Sequence, residues 1–358
     1  MRALVALVGA LLLASRAAGA DDPGPFPDVR PGAALDLPAD EGAHPAYRTE
    51  WWYVTGWLQR ADGRPLGFQV TFFRTRPGAD DANPSAFTAH QLLIAHAALS
   101  DPARGRASHD QRIARAAFGL AGASEGRTDV AIGAWHLKSA GNSFDARVAA
   151  EDFDLELTLD RAAAVMANGH NGYSQKGPAE SSASHYYSIP GLKVRGRVTR
   201  GVVVEAVTGE AWLDHEWSSA YLDADSVGWD WLGLNLADGG ALMAFRIRDA
   251  TGATHWAGGS LRAADGTVHV LDTPDLEFGA GRRWRSPHTA IDWPVEWTVR
   301  AGPLKFSLVP LMDDQESDSR PTTGAVYWEG AVTARDAAGT LGRGYLELTG
   351  YGEPLKLR

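Results

Sequence analysis

Residues 52–74 read WYVTGWLQRADGRPLGFQVTFFR, and this stretch decides the fold. Two runs rich in aromatic, aliphatic and β-branched residues flank the Asp62-Gly63 pair, and such runs are typical of β-strands. Asp-Gly is a strong hairpin signal, because glycine adopts the positive φ that a tight turn requires. The stretch therefore predicts an antiparallel hairpin with residues 52–59 and 66–74 as its strands.

Short strand-like segments continue along the rest of the chain at near-regular spacing. They cover residues 91–99, 111–118, 131–137, 152–160, 185–189, 192–198 and 202–217. Many short strands separated by turns are typical of a β-barrel or a β-sandwich. Because the chain has 358 residues and a domain has about 150, we predict an all-β protein of two domains.

The second half of the chain repeats the opening hairpin. Residues 229–246 read WDWLGLNLADGGALMAFR, which again gives a tryptophan-rich strand, an Asp-Gly turn, an apolar strand and a final Phe-Arg. The ends of the halves are also alike, since Trp212-Leu213-Asp214 parallels Tyr345-Leu346-Glu347. We interpret this pattern as an internal duplication. The polar segment 218–227 then separates an N-terminal domain, residues 21–220, from a C-terminal domain, residues 221–358.

The first twenty residues predict a signal peptide. Met1-Arg2 gives a charged start, residues 3–14 form an apolar run, and Ala18-Gly19-Ala20 is an A-x-A cleavage site. The run is shorter than the ~20 residues that span a bilayer, so we expect a mature protein without a membrane anchor. Because the chain has no cysteine and eukaryotic secreted proteins usually carry disulfides, we expect secretion to a bacterial periplasm.

Composition excludes several functions. A formal net charge of -10 repels phosphate backbones, so nucleic acid is not an expected partner. The absence of cysteine excludes thiol nucleophiles and thiolate metal sites. The sequence has no G-x-S-x-G elbow, no P-loop and no dinucleotide-binding loop, so we predict neither a serine hydrolase nor a cofactor. The 13 Trp, 9 Tyr and 11 Phe instead indicate aromatic-lined walls.

The strand at residues 212–217 carries the candidate chemistry. Strand alternation places Trp212, Asp214 and Glu216 on one face and the residues between them on the other. Burial in an apolar cavity and repulsion between carboxylates both raise a carboxyl pKa, so one of the two acids can stay protonated near neutral pH. A protonated carboxyl can donate its proton. We therefore predict Asp214 and Glu216 as the catalytic residues.

Several motifs occur together along almost the whole mature chain. They are EWWYVTG at 50–56, GFQVTFFR at 67–74, WLDHEW at 212–217, GWDW at 228–231, YWEG at 327–330 and GYLELTGY at 344–351. In this order they resemble the AttH-like branch of the carotenoid 1,2-hydratase-like, lipocalin-fold family, whose members are often called predicted secreted hydrolases. The resemblance implies two packed lipocalin-like barrels with an apolar ligand, isoprenoid-like or lipid-like, in a barrel cavity. It also implies kinship with enzymes that hydrate isoprenoid double bonds and with fungal lipocalin-like cyclases.

The resemblance also implies a role for one residue. The hydratases hold their acid aspartate in an aromatic-x-Asp strand, and the matching position here is Asp214; the aromatic residue before it is a tryptophan, where the hydratases usually have a tyrosine. An acid that protonates a double bond leaves a carbocation, which nearby aromatic rings stabilise. We predict that the rings lining the ligand site are Trp52, Tyr53, Tyr187, Trp212 and Trp229.

The sequence leaves two alternatives open and disfavours a third. The predicted acid can instead form a buried salt bridge with Arg74 or Arg246. A metal site is not predicted, because neighbours on one strand point to opposite faces; its ligands would come from His96, His185 and His215. The protein can also be a non-catalytic periplasmic carrier of a hydrophobic ligand, as lipocalins are. The sequence leaves the oligomeric state open.

Overall fold

The computed structural model describes residues 26–32, 34–77, 83–85 and 87–355. The predicted signal peptide, residues 1–20, lies outside these ranges. The described chain is built almost entirely of β-strands, which confirms the all-β fold class. Its helical segments are one α-helix, Arg320–Thr323 (α1), and two 3-10 turns, Ala39–Glu41 and Thr273–Asp275. Within the described ranges, no helix has the length and apolar character needed to cross a membrane.

Thirteen strands of the first half form one antiparallel sheet, which curls into a nearly closed barrel. These strands are Thr49–Arg60 (β1), Pro65–Thr75 (β2), Leu92–Ser100 (β3), Ser108–Arg115 (β4), Ala121–Ala123 (β5), Asp129–Ile132 (β6), Trp135–Ala140 (β7), Ser143–Ala149 (β8), Asp154–Asp160 (β9), Met166–Ala167 (β10), Tyr173–Gln175 (β11), Ala183–Arg200 (β12) and Val203–Ala220 (β13). Their order is β4-β3-β2-β1-β13-β12-β9-β8-β7-β6-β5, with β10 and β11 beside β12.

Ten strands of the second half form a second large sheet. The strands of this half are Ser226–Leu236 (β14), Ala241–Asp249 (β15), Thr254–Arg262 (β16), Val268–Asp272 (β17), Leu276–Ala280 (β18), Arg283–Arg285 (β19), Asp292–Pro294 (β20), Trp297–Ala301 (β21), Leu304–Pro310 (β22), Glu316–Ser319 (β23), Ala325–Asp336 (β24) and Gly339–Leu348 (β25). Their order is β17-β16-β15-β14-β25-β24-β22-β21-β18, with β23 beside β24. Strands β19 and β20 pair separately.

Nine strands follow the same order in both sheets, because β4-β3-β2-β1-β13-β12-β9-β8-β7 matches β17-β16-β15-β14-β25-β24-β22-β21-β18. The match extends to side chains. Glu50 on β1 lies opposite Arg74 on β2, and Asp230 on β14 lies opposite Arg246 on β15. Each acid forms a buried ion pair with its arginine. This agreement in topology and in detail supports an internal duplication.

The strand register changes one detail of the predicted repeat. Glu216 lies opposite Trp51, and Glu347 lies opposite Trp231, which is the counterpart of Trp51. Glu347 is therefore the counterpart of Glu216. The comparison of the two halves in sequence matched it with Asp214 instead. A shift of two residues keeps every side chain on the same face of a strand, so the alternation pattern alone could not detect it.

One long strand replaces two predicted ones. Residues 185–189 and 192–198 were expected as separate strands, but both belong to β12, Ala183–Arg200. The register shifts between Ile189 and Leu192, where Gly191 has a φ of +69°. A β-bulge of this kind bends a strand without ending it, and glycine accommodates the positive φ.

Each half has its own hydrophobic core, and a third apolar cluster joins the two. Trp52 lies in the core of the first half, and Trp328 lies in the core of the second. The joining cluster includes Tyr53, Tyr186, Trp212, Trp231, Phe245 and Tyr345. At this junction the indole of Trp57 donates a hydrogen bond of 3.0 Å to the carbonyl of Gly344. The sheets thus pack face to face through β1, β24 and β25.

Candidate active site

A cavity of about 310 Å³ lies between the two sheets. A volume of this size is at the lower end of the range for small-molecule sites. Alternate residues of β1 and β2 line it because strand side chains alternate between faces, and the second half supplies the facing wall. We expected the ligand cavity inside a barrel; the structure instead places this cavity between the barrels, because hydrophobic cores fill the space within each half.

Asp214 is a buried carboxyl group on the cavity wall. It accepts hydrogen bonds from the Tyr186 hydroxyl at 2.7 Å, the Ser188 hydroxyl at 2.5 Å and the Trp212 indole at 2.6 Å. Burial raises the pKa of Asp214 to about 7, and these donors oppose that rise only in part because they stabilise the charged form. The group is therefore protonated in a large fraction of molecules near neutral pH.

Glu216, two residues further along β13, also lines the cavity. The ammonium of Lys176 lies 3.0 Å from its Oε1 atom, and the Ser184 hydroxyl donates to the same oxygen. Asp214 and Glu216 thus differ in environment although they share a face. Asp214 has only neutral hydrogen-bond donors, whereas Glu216 has a cationic partner.

The second half contributes two more carboxyl groups to the same cavity, Glu329 on β24 and Glu347 on β25, directly opposite each other in the sheet. Burial raises the pKa of Glu329 to about 8. Burial and the nearby Glu329 raise the pKa of Glu347 well above its usual range, and the Trp229 indole donates a 2.9 Å hydrogen bond to it. The two carboxyl groups thus take up protons far more readily than exposed glutamates do.

Two buried polar atoms on the cavity wall make no hydrogen bond of good geometry within the described residues, although the two side chains lie close enough for Tyr53 to oppose the rise in the pKa of Glu329. They are the Tyr53 hydroxyl oxygen and the Oε2 atom of Glu329. A buried polar atom without a partner is costly, by roughly 1–3 kcal/mol. A hydroxyl group or a water molecule in the cavity would satisfy both atoms.

Aromatic rings cover much of the remaining wall. Trp51 stacks on Tyr221 with ring centroids 4.5 Å apart, and Trp229 lies parallel to Trp51 at 6.5 Å. Trp231 meets Tyr53 edge to face at 5.5 Å and donates a hydrogen bond to Tyr186. The faces of such rings are electron-rich and attract positive charge. The cavity thus combines apolar walls, acids and surfaces that can stabilise a cation.

The structure brings together four of the predicted site residues: Asp214, Glu216, Tyr53 and Trp229 line the cavity. Trp212 does not line the cavity but lies beside it in the cluster that joins the halves, where its indole donates a hydrogen bond to Asp214.

Trp52 and Tyr187 were predicted to line the ligand site, and the structure places them elsewhere. Both lie opposite His215, one on β1 and one on β12, and cross-strand neighbours share a face. That face is directed into the core of the first half. Their neighbours Trp51 and Tyr186 lie opposite Glu216 and line the cavity instead.

Sequence reasoning missed several other cavity residues. Glu329 and Glu347 lie within quoted motifs, and a correct alignment of the repeat would have matched Glu347 with Glu216. Lys176 lies between β11 and β12, outside any periodic segment, so no sequence signal placed it in the cavity.

The alternative of a salt bridge for Asp214 is wrong for both proposed arginines. Arg74 pairs with Glu50 at 2.7 Å, and Arg246 pairs with Asp230 at 2.6 Å. Both arginines therefore stabilise the first strand of their own half and leave Asp214 without a cationic partner of its own.

One cluster of potential metal ligands occurs in the described part of the chain. His44 and His215 each place a ring nitrogen 2.8 Å from Oε1 of Glu50. The guanidinium of Arg74 contacts the other oxygen of Glu50 and so disfavours a cation there. The other two candidate ligands lie apart from this cluster: His96 contacts Thr322, and His185 contacts Tyr47.

Comparison with known proteins gives a clear family match. The AttH-like family model matches residues 28–351. The crystal structure of an AttH protein from Nitrosomonas europaea is 48% identical in sequence, with a TM-score of 0.85, and the match covers 91% of this chain and 100% of that one. No curated protein matches the sequence.

More distant structures share the architecture. Kievitone hydratase from Nectria haematococca is 15% identical with a TM-score of 0.67, and the match covers 92% of this chain and 97% of that one. CghA is 12% identical with a TM-score of 0.50, over 93% of this chain and 96% of that one. At these identities the likeness shows the fold alone.

Proposed function

The chain belongs to the AttH-like family, and we propose that it binds an apolar, unsaturated small molecule in the cavity between its halves and hydrates or isomerises it by acid catalysis from Asp214. The single observation that carries this proposal is the environment of Asp214, a carboxyl buried in an aromatic cavity with a pKa near 7. A general acid works best when its pKa lies near the working pH.

The first step is proton transfer to carbon. The Asp214 carboxyl protonates one carbon of a double bond, which leaves a carbocation on the other carbon and a carboxylate on Asp214. The rings of Trp51, Trp229 and Tyr221 form the cavity wall around that charge and stabilise it. Hydrogen bonds from Tyr186 and Ser188 then stabilise the new carboxylate.

The second step decides the product. In hydration, water adds to the cation and loses a proton to a carboxylate of the cavity, for which Glu216 is the candidate. In isomerisation, the cation instead loses a proton from a neighbouring carbon to the Asp214 carboxylate, which restores the acid. Both routes conserve protons overall once Asp214 regains its proton. A known hydratase with the same fold supports the first route, because that fold accommodates such a reaction.

A non-catalytic carrier of a hydrophobic ligand is the second candidate function. It is favoured by the hydrogen bonds of Asp214, because all three donors come from the protein and already occupy both carboxyl oxygens. Under this function Asp214 orders the wall between the sheets and does not react. We propose the bacterial periplasm as the location for either function, on the grounds of the predicted signal peptide and the lack of cysteine.

Asp214→Asn distinguishes the two functions. Asparagine keeps an oxygen for Ser188 and Trp212, and its amide can donate to the Tyr186 hydroxyl, so the fold is preserved. We expect the wild-type protein to incorporate ¹⁸O from labelled water into isoprenoid alkenes if it hydrates them, or deuterium from D₂O if it isomerises them. We expect neither with Asp214→Asn, and similar ligand affinity for both proteins. Glu210→Gln, an exposed change on the same strand, is the matched control. Retained turnover in Asp214→Asn would exclude the acid role.

A further inference from the structure

Lys176 is a buried amine on the cavity wall that acid catalysis does not use. Its Nζ atom lies 3.0 Å from Oε1 of Glu216 and donates a 3.0 Å hydrogen bond to the Ser174 hydroxyl. Its side chain is only 8% exposed, and it lines the same cavity as Asp214. Burial of a lysine costs free energy, so a position of this kind is often functional.

Apolar groups surround the amine on its other sides. The Nζ atom lies 4.1 Å from the ring centre of Phe245 and 4.8 Å from that of Tyr186. Burial lowers the pKa of Lys176, and the attraction of Glu216 opposes this effect only in part. The Glu216 carboxylate also lies within reach of the ammonium protons.

We propose that Lys176 forms an imine with apolar aldehydes that enter the cavity, a covalent reaction separate from alkene hydration. The proposal rests on the cavity that the proposed function assigns to an apolar ligand. An amine that is desolvated beside a proton acceptor is a good nucleophile toward a carbonyl carbon. The apolar and aromatic walls favour an aldehyde with an apolar chain.

The reaction is balanced with groups that line the cavity. Lys176 gives one proton to Glu216, and the neutral nitrogen attacks the aldehyde carbon to form a C–N bond. The carbonyl oxygen takes up one proton from Asp214, which also lines the cavity, and the Asp214 carboxylate then takes one proton back from the nitrogen to give a neutral carbinolamine. Glu216 then gives its proton to the hydroxyl group, the C–O bond breaks and water leaves, which yields the protonated imine beside the Glu216 carboxylate. The overall change is amine plus aldehyde to imine plus water, with no oxidant or reductant.

The surroundings also suit the product. A protonated imine carries a positive charge at the position that the ammonium occupied. Glu216 remains beside it as a counter-ion, and the faces of Phe245 and Tyr186 contact the charge. The same groups that hold the free amine therefore stabilise the imine.

Trapping with cyanoborohydride tests this inference. The full-length mature protein is incubated with citral and sodium cyanoborohydride, and its intact mass is measured. We expect one main adduct, heavier by citral less one oxygen atom, which peptide mapping places on Lys176. Lys176→Arg keeps the charge beside Glu216 but cannot form an imine, so the adduct should be lost. Lys193→Arg, an exposed lysine paired with Glu210, should leave the adduct yield unchanged.

Binding of geraniol, the alcohol that corresponds to citral, distinguishes failure of the imine proposal from failure of the proposed ligand-binding function. If geraniol binds to the wild-type protein and to Lys176→Arg but citral modifies only surface lysines, the imine is excluded and the proposed cavity function stands. If neither geraniol nor citral binds to the wild-type protein, both the imine and the apolar-ligand function are excluded. An adduct at Lys176 that forms at least tenfold faster than any at Lys193 supports the inference.

Discussion

Glu216 of the first half and Glu347 of the second occupy equivalent positions in their sheets and face one cavity. Each lies opposite a tryptophan of the first strand of its half, Trp51 and Trp231 respectively. The second half is therefore part of the site and not only a scaffold. The shared strand order of the two halves fits a duplication, and the cavity lies where the two sheets meet.

The pH dependence of turnover should follow the protonation of the Asp214 carboxyl group. Because burial raises its pKa to about 7 and the acid must be protonated to react, we expect a rate that falls as the pH rises through about 7. Above about pH 8 the fall should be roughly tenfold per pH unit. Ser188→Ala removes a donor to the carboxylate, so it should move the midpoint to higher pH. An unchanged midpoint in Ser188→Ala would contradict the assignment.

The same carboxyl should make stability depend on pH. Its folded pKa lies above its unfolded value of 3.8, so the folded state holds an extra proton between about pH 4 and pH 7. The free energy of unfolding should therefore fall as pH rises through this range, by at most about 1.4 kcal/mol per pH unit from this group. Urea titrations of the wild-type protein and Asp214→Asn across this range measure the difference. Parallel pH curves for the two proteins would exclude the effect.

Two adjacent tryptophans should have separate roles. Trp51 lines the cavity, whereas Trp52 is fully buried in the core of the first half. Trp51→Ala should weaken the binding of geraniol at least tenfold with little loss of stability. Trp52→Ala should lower the free energy of unfolding by about 3–5 kcal/mol, because it leaves a large cavity in the core. Titration calorimetry measures the binding, and chemical denaturation measures the stability. Weaker binding in Trp52→Ala together with lost stability in Trp51→Ala would show that the two side chains are assigned to the wrong faces of β1.

The ion pair of Glu50 and Arg74 should be structural. Both side chains are almost fully buried, and Arg74 also donates to the carbonyl oxygens of His44 and Tyr47. Arg74→Met should cost about 3–5 kcal/mol, since it leaves a buried carboxylate without its cationic partner. Arg64→Met, at an exposed pair, should leave the melting temperature unchanged. If the Arg74→Met protein is as stable as the wild type, the contacts with His44 and His215 are sufficient to stabilise the buried Glu50 carboxylate.

The fold could be predicted from sequence because its signals are local. The Asp62-Gly63 hairpin and its repeat at Asp238-Gly239 fix strand pairs directly, and both occur in the structure. Part of the site could also be predicted, since alternation along β13 places Asp214 and Glu216 on one face. The choice between Trp51 and Trp52 needed the register with β13, which is a long-range contact.

The remaining site residues depend on how the halves pack. Glu329 belongs to a strand of the second half, and its place beside Tyr53 follows from the contact between the two sheets. A periodic pattern within one strand gives no information about that contact between the sheets. The position of the cavity, between the barrels, depends on the same packing.

Native mass spectrometry of the protein purified from its own organism tests the central claim most directly, with organic extraction to identify the bound molecule. We expect an unsaturated, apolar molecule bound to the wild-type protein and a much smaller bound fraction in Trp51→Ala. An empty wild-type protein that also binds no apolar alkene, alcohol or aldehyde would contradict the claim that the cavity between the halves is a ligand site.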